Sequence, residues 1–148
     1  MNATTIDHAE RPRWYRVAAI AALLWNLLGV AMFLLHYTMS AEALAALPAE
    51  QQALFEAMPG WTWVAYAVAT IGGALGALML VMRRRAATWL LTLSLAGVVA
   101  QFLWQAVLSE AVPLLGAAQA LTLPAVLVVV AALVCWFAWR ADARGWLR

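Results

Sequence analysis

The chain has 148 residues, 67% of them hydrophobic and 11% charged, with a formal charge of +2. Soluble domains average about 45–50% apolar and 25% charged residues, so this composition excludes an ordinary water-soluble globule and makes lipid the solvent for much of the chain. The small net charge leaves no footprint for nucleic acid, and a single cysteine, Cys135, permits neither an intrachain disulfide nor a cysteine-based metal site.

In chain order, four stretches lack Asp, Glu, Lys and Arg: 17–37, 61–82, 86–108 and 118–139. A hydrocarbon core of roughly 30 Å needs about 20 helical residues, and each stretch supplies them. The runs are continuously apolar rather than alternating, which favours helices over barrel strands. The predicted fold is an all-α integral membrane protein, a four-transmembrane-helix bundle spanning 17–139. Residues 1–16 precede it, 38–60 form a first outer loop, and 140–148 form a tail. The first apolar run is too long for the h-region of a cleaved leader, normally about 7–15 residues, so it is predicted to be retained as a span.

All nine basic residues are arginines. They precede the first span (Arg11, Arg13, Arg16), join the second to the third (Arg83, Arg84, Arg85) and follow the fourth (Arg140, Arg144, Arg148). The two remaining connections carry only Glu42, Glu50, Glu56 and Glu110. The positive-inside rule then predicts that both termini are cytoplasmic, with Arg83 to Arg85 as topology anchors that also meet anionic headgroups. Trp14, Tyr15, Trp89, Trp136 and Trp139 fall at the inner interface, and Tyr37, Trp61, Trp63, Tyr66 and Trp104 at the outer one, as an aromatic belt requires. Trp25 falls at mid-depth, where packing on a neighbouring helix is expected.

The outer loop has helix punctuation. Ser40 is an N-cap candidate with Glu42 in the first turn, Pro48 suits the first position of a second short helix, and Pro59-Gly60 stops it. Leu44, Leu47, Leu54, Phe55 and Met58 gather on one side of the wheel, which reads as one or two short amphipathic helices. They serve either as a connector on the bundle mouth or as a lid or docking surface. A short echo, Leu27-Leu28-Gly29-Val30 against Leu95-Ala96-Gly97-Val98, hints at two parallel hairpins.

In the second span, Ala65, Ala69, Gly72 and Gly76 share one face, with a GxxxG at its end. Small residues let helix backbones approach in lipid, either inside one bundle or between copies. The third span carries Ser94, Gln101 and Gln105 on one face, and the first carries Asn26 at mid-depth. They are expected to point inward and find one another, as interhelical glue or as a small polar cavity for a neutral solute, with Trp25 or Trp104 stacking on it. Met32 and Met39 lie four before and three after His36, on roughly one face at the outer end of the first span, and make a faint thioether–imidazole set. No span holds an acid or an arginine, and no catalytic set or phosphate loop is present. The expectation is a protein without enzymatic chemistry and without a cofactor. Cys135 reads as a small core residue.

The segments Leu24 to Val30, Met39 to Leu44, Glu56 to Trp61, and Gly72 to Gly76 followed by Arg83-Arg84-Arg85 resemble a family of small four-span proteobacterial inner-membrane proteins, loosely labelled sugar-transporter-like. The resemblance implies a bacterial inner (cytoplasmic) membrane and a transport-related role. It supplies no ligand residues. The sequence thus predicts a small transport-related protein for a neutral solute, working as a homo-oligomer. The alternative is a non-catalytic accessory subunit of a larger membrane complex.

Overall fold

A computed structural model describes residues 12–148, and among these it is helical with no strand. The elements are α1 (Arg13–Tyr37), α2 (Ala41–Ala45), α3 (Ala49–Glu56), α4 (Gly60–Val81), α5 (Ala86–Leu103), a π-helical turn (Trp104–Leu108), α6 (Ala111–Leu115) and α7 (Ala117–Ala143). Four helices are long and apolar enough to cross a membrane: α1, α4, α5 with its π-helical turn, and α7, of 25, 22, 23 and 27 residues. At a rise of 1.5 Å per residue these are about 33 to 40 Å long, enough for the hydrocarbon core.

Local chemistry sets the connections. The Ser40 hydroxyl accepts from the Ala43 amide at 3.1 Å and caps α2. Pro48 caps α3 from just outside, one residue earlier than predicted, because its extended backbone (ψ 146°) is not helical. Pro59-Gly60 does more than stop α3: Pro59 is the extended cap of α4 and Gly60 its first residue. Gly116, at φ 80°, separates α6 from α7.

α1 packs on α4, α4 on α5 and α5 on α7, so the long helices form a row with α4 and α5 in its middle, closed at one end where Trp14 and Tyr15 of α1 meet Phe137 of α7. The face of α1 towards α4 carries Tyr15, Ala19, Ala22, Asn26, Gly29, Phe33 and His36, spaced alternately by four and three. That is a seven-residue period, which keeps one seam on a neighbour crossing at a shallow angle. α4 answers with Tyr66, Thr70, Gly73, Ala77 and Leu80, and turns a second face, Thr62, Ala65, Ala69, Gly72 and Gly76, to α5. A Cβ on Gly97 of α5 would lie 2.8 Å from the Ala65 carbonyl oxygen and 3.0 Å from the Ala69 nitrogen, and one on Gly76 would lie 2.7 Å from Leu91 Cγ. The small-residue face of the second span is therefore covered by α5 of the same chain.

The arginine-bearing ends of the helices meet. Arg83, at φ 63°, stands where a glycine usually ends a helix: its amide bonds back to Leu80, and that of Arg84 to the Met79 carbonyl at 2.8 Å. Gly145, at φ 67°, ends α7 in the same way, with Trp146 bonding to the Ala141 carbonyl at 2.9 Å. The two turns then pair, Arg148 donating to the Arg83 carbonyl at 2.7 Å and Arg85 to the Arg148 carbonyl at 3.0 Å. Arg85 also meets Asp142 at 3.3 Å. The predicted tail is thus no loose tail: α7 runs on to Ala143, and Trp146 and Leu147 are buried with Tyr15, Leu80, Ala87, Leu91, Ala138 and Ala141. The reason is apolar area, since a Trp-Leu pair released from a helix end gains by folding back onto exposed core. Arg11 lies outside the described residues.

Candidate functional site

The opposite end carries the α1–α4 connection and the turn between α5 and α7. Here α3 lies across the mouth. Leu54, Phe55 and Met58 are half-buried while Glu50 and Glu56 are exposed, as an amphipathic helix on an apolar seat requires. Beneath α3 is a pocket of about 190 Å³, lined by Gln51, Leu54, Phe55 and Met58 on one side. On the other side Trp104 and Gln105 come from the π-helical turn, joined by Ser109 and Ala111. No described lining residue is charged. The volume falls below the roughly 300–1,000 Å³ of sites for drug-sized ligands, so it suits a small solute.

The wall of this pocket is fixed by a proline. Pro124 inside α7 has no amide hydrogen, so the carbonyl of Ala120, four residues earlier, loses its helical donor. Ala120 is fully buried, and water cannot replace that donor. Gln105 Nε2 donates to this carbonyl at 3.0 Å. Ser109 Oγ in turn donates to the Gln105 carbonyl at 2.8 Å and accepts from the Ala111 amide at 3.2 Å. The wider π-helical turn thus holds the Gln105 amide beside α7 and Trp104 beneath α3. Such turns recur at functional sites.

The six residues expected to line one cavity are not brought together. Trp104 and Gln105 line the mouth pocket. Gln101 donates to the Thr62 carbonyl and Ser94 to the Ala69 carbonyl, both clipping α5 to α4. Asn26 donates to the Ala22 carbonyl at 2.8 Å, and its Oδ1 fills the space a Cβ would take at Gly73, with Ser94 Oγ 2.9 Å from that same point. Asn26 and Ser94 therefore converge across α4, but on a packed junction where glycine makes the room. Trp25 is 41% exposed on the outside of the row, contrary to the expected helix packing, because the α1 seam passes through Asn26 instead.

Next to the pocket stands an aromatic cluster. His36 Nδ1 and Tyr66 Oη are 3.2 Å apart, and Phe55 of α3 packs against both His36 and Trp63. Phe33 and Tyr37 complete it from α1. Phe55 thus joins the cluster to the pocket. Met32 is 43% exposed and Met39 half-buried, and among the described residues no three His, Cys, Asp or Glu side chains gather as a metal site. Cys135 is buried with its sulfur 3.5 Å from Thr92 Oγ1.

No protein-family model, curated protein or solved structure matches this chain. The site therefore stands on its own residues. Those that sequence reasoning passed over are Gln51, as the polar partner on the far wall, Ser109, which braces the π-helical turn, and Pro124, whose missing donor explains Gln105.

Proposed function

We propose that this is a multi-pass protein of a bacterial inner membrane, with both arginine-bearing ends cytoplasmic, that takes a small neutral polar solute into the pocket beneath α3 on the outer side. The carrying observation is the pocket itself: a mainly apolar hollow (Leu54, Phe55, Met58, Trp104) with the exposed Gln51 amide on one wall, the remaining bonding capacity of Gln105 and Ser109 on the other, and no charged lining residue described. Amides bind hydroxyl-bearing or amide-bearing solutes by hydrogen bonds, an indole face covers their apolar side, and the absence of charge disfavours ions. The segregation of the arginines supports the orientation, and the amphipathic α3 supports a lid.

This reading is transport-related, with the pocket as an entry site. The polar side chains deeper in the row are committed to helix carbonyls, so a route onward runs between copies of the chain in an oligomer. Thermal unfolding of the detergent-solubilised chain against a panel of uncharged polyols and amides tests it. Stabilisation by an uncharged solute, and none by charged analogues of the same size, is the expected result.

One observation favours a second reading, an accessory subunit of a larger complex. Only 11% of the apolar window of α7 and 17% of that of α1 is buried within the chain, which leaves two long faces for lipid or for partner helices. The native mass of the gently solubilised complex separates the two: a homo-oligomer fits the first reading, a co-purifying second chain the other.

A further inference from the structure

The polar atoms of the pocket beneath α3 divide into those already bonded and those left free. Gln105 Nε2 is bound to the Ala120 carbonyl, which can only accept, so the orientation of that amide is fixed and its Oε1 is left as an acceptor. Ser109 Oγ both donates and accepts within the turn. Trp104 is buried, only 7% exposed, yet its indole nitrogen has no hydrogen-bond partner among the described residues. That nitrogen is not sealed inside the protein either, because the one sealed side-chain nitrogen or oxygen without a hydrogen bond among the described residues is Asp142 Oδ1. An indole N–H is a donor only, and a largely desolvated donor is costly to leave unmade. On the other wall the exposed Gln51 side chain is also unbonded among the described residues, and it offers both a donor and an acceptor. The remaining wall of Leu54, Phe55 and Met58 is apolar.

We propose, on the reading of this pocket as a solute site, that it selects a small primary carboxamide with a short apolar tail. The carbonyl of the solute accepts from Trp104 Nε1, its NH2 group donates to Gln105 Oε1, and Gln51 pairs with the remaining edge of the same group. The free groups of the pocket are a fixed donor, a fixed acceptor and one whole amide, and a carboxamide carries the matching acceptor and donors on a single rigid plane. A polyol carries several hydroxyls, and those lying along Leu54, Phe55 and Met58 would be buried unpaired. A monohydric alcohol has one donor hydrogen, which cannot serve Gln105 and Gln51 together. Trp104 thus sets specificity through the N–H on its edge, besides covering the solute with its face.

The test uses the full chain in mild detergent, titrated separately with isobutyramide, isopropyl methyl ketone, isobutanol and erythritol. It is read by thermal unfolding and by the indole N–H resonance of Trp104, assigned with Trp104→Phe. Isobutyramide is expected to stabilise saturably and to move that resonance downfield, as a new hydrogen bond does. Isopropyl methyl ketone has the same outline and keeps the carbonyl, so it is expected to move the resonance but to bind about tenfold or more weakly for want of the NH2 group. Isobutanol is expected to bind more weakly than isobutyramide, and erythritol not to stabilise. Trp104→Phe is expected to weaken isobutyramide by about tenfold. Benzothienylalanine at the same position, which replaces the N–H by sulfur within the same ring outline, gives the same reading where the phenylalanine variant does not fold. Equal binding of the amide and the ketone, isobutanol or erythritol binding as tightly as the amide, or stabilisation by isobutyramide with an unmoved Trp104 resonance overturns the proposal. In those cases the solute pocket itself still stands if Met58→Trp abolishes the stabilisation. Stabilisation by no uncharged solute overturns both.

Discussion

Gln105 donates its side-chain amide to the carbonyl of Ala120, the acceptor that Pro124 strips of its helical donor. One relationship thereby links the π-helical turn, the kink-prone region of α7 and the wall of the mouth pocket. It also predicts a coupling. Gln105→Leu leaves a fully buried carbonyl unpaired and should destabilise by about 1–2 kcal/mol. In a Pro124→Ala background the helix supplies its own donor, and the same substitution should cost only a few tenths of that. A double-mutant cycle read by thermal unfolding in detergent checks it, and additive losses would refute the link.

The glycines of the α4–α5 seam should differ sharply among themselves. Gly97→Ala forces a methyl against two backbone atoms of α4, at 2.8 and 3.0 Å, and should lower stability by about 2 kcal/mol or more. At Gly72 the nearest atoms to an added methyl are 3.8 Å away, an ordinary contact. Gly72→Ala should therefore be neutral within about 0.5 kcal/mol and leave the mass of the solubilised protein unchanged. A change of oligomeric mass in Gly72→Ala would mean that this face also serves contacts between chains.

Gly73 offers a sharper test of the junction at mid-depth. Gly73→Ala collides with the Asn26 amide, a movable side chain rather than backbone. It should destabilise in the parent chain and be largely rescued by Asn26→Ala, which vacates the same space. Failure of that rescue would place the decisive collision at Ser94 Oγ of α5, 2.9 Å from the same point.

The arginine-bearing end should depend on residues near the close of the sequence. Trp146 is 4% exposed against Tyr15, with ring centroids 5.7 Å apart. Trp146→Ala should cost about 3 kcal/mol, as for other buried aromatics, and Tyr15→Phe about 1 kcal/mol through the lost bond to Leu80. Thermal or denaturant unfolding followed by circular dichroism reads both. Trp146→Ala without loss would mean that the docked turn holds nothing in place.

The four long helices were legible because their signal is local: length, unbroken apolarity and the position of each arginine. The capping of α2 by Ser40 and the apolar side of α3 were legible for the same reason. The shared cavity at depth was not, because the sequence shows that Asn26, Ser94, Gln101 and Gln105 need partners without showing which. Each finds a main-chain carbonyl, three of them on a neighbouring helix, where nothing in a side-chain pattern marks an acceptor. A sequence clue existed for Gln105 alone, in the unpaired acceptor that a mid-helix Pro124 must create. The folded-back end was hidden by its arginines, which read as solvated although Trp146 and Leu147 between them are not.

The orientation predicts labelling from opposite sides. In a Cys135→Ala background, Glu50→Cys on exposed α3 should react with a membrane-impermeant maleimide added to intact spheroplasts, and Arg84→Cys only after lysis. The reverse pattern would invert the topology.

The central claim is that the neutral pocket beneath α3 receives a solute. It is tested most directly by titrating the best uncharged stabiliser into three forms of the full chain: the parent, Gln51→Leu and Met58→Trp. Gln51→Leu removes an amide from an exposed wall, and Met58→Trp fills the cavity, while neither touches the bond between Gln105 and Ala120. The account predicts saturable stabilisation of the parent, a response weakened by about tenfold in Gln51→Leu, and none in Met58→Trp. Equal stabilisation of all three forms would contradict it.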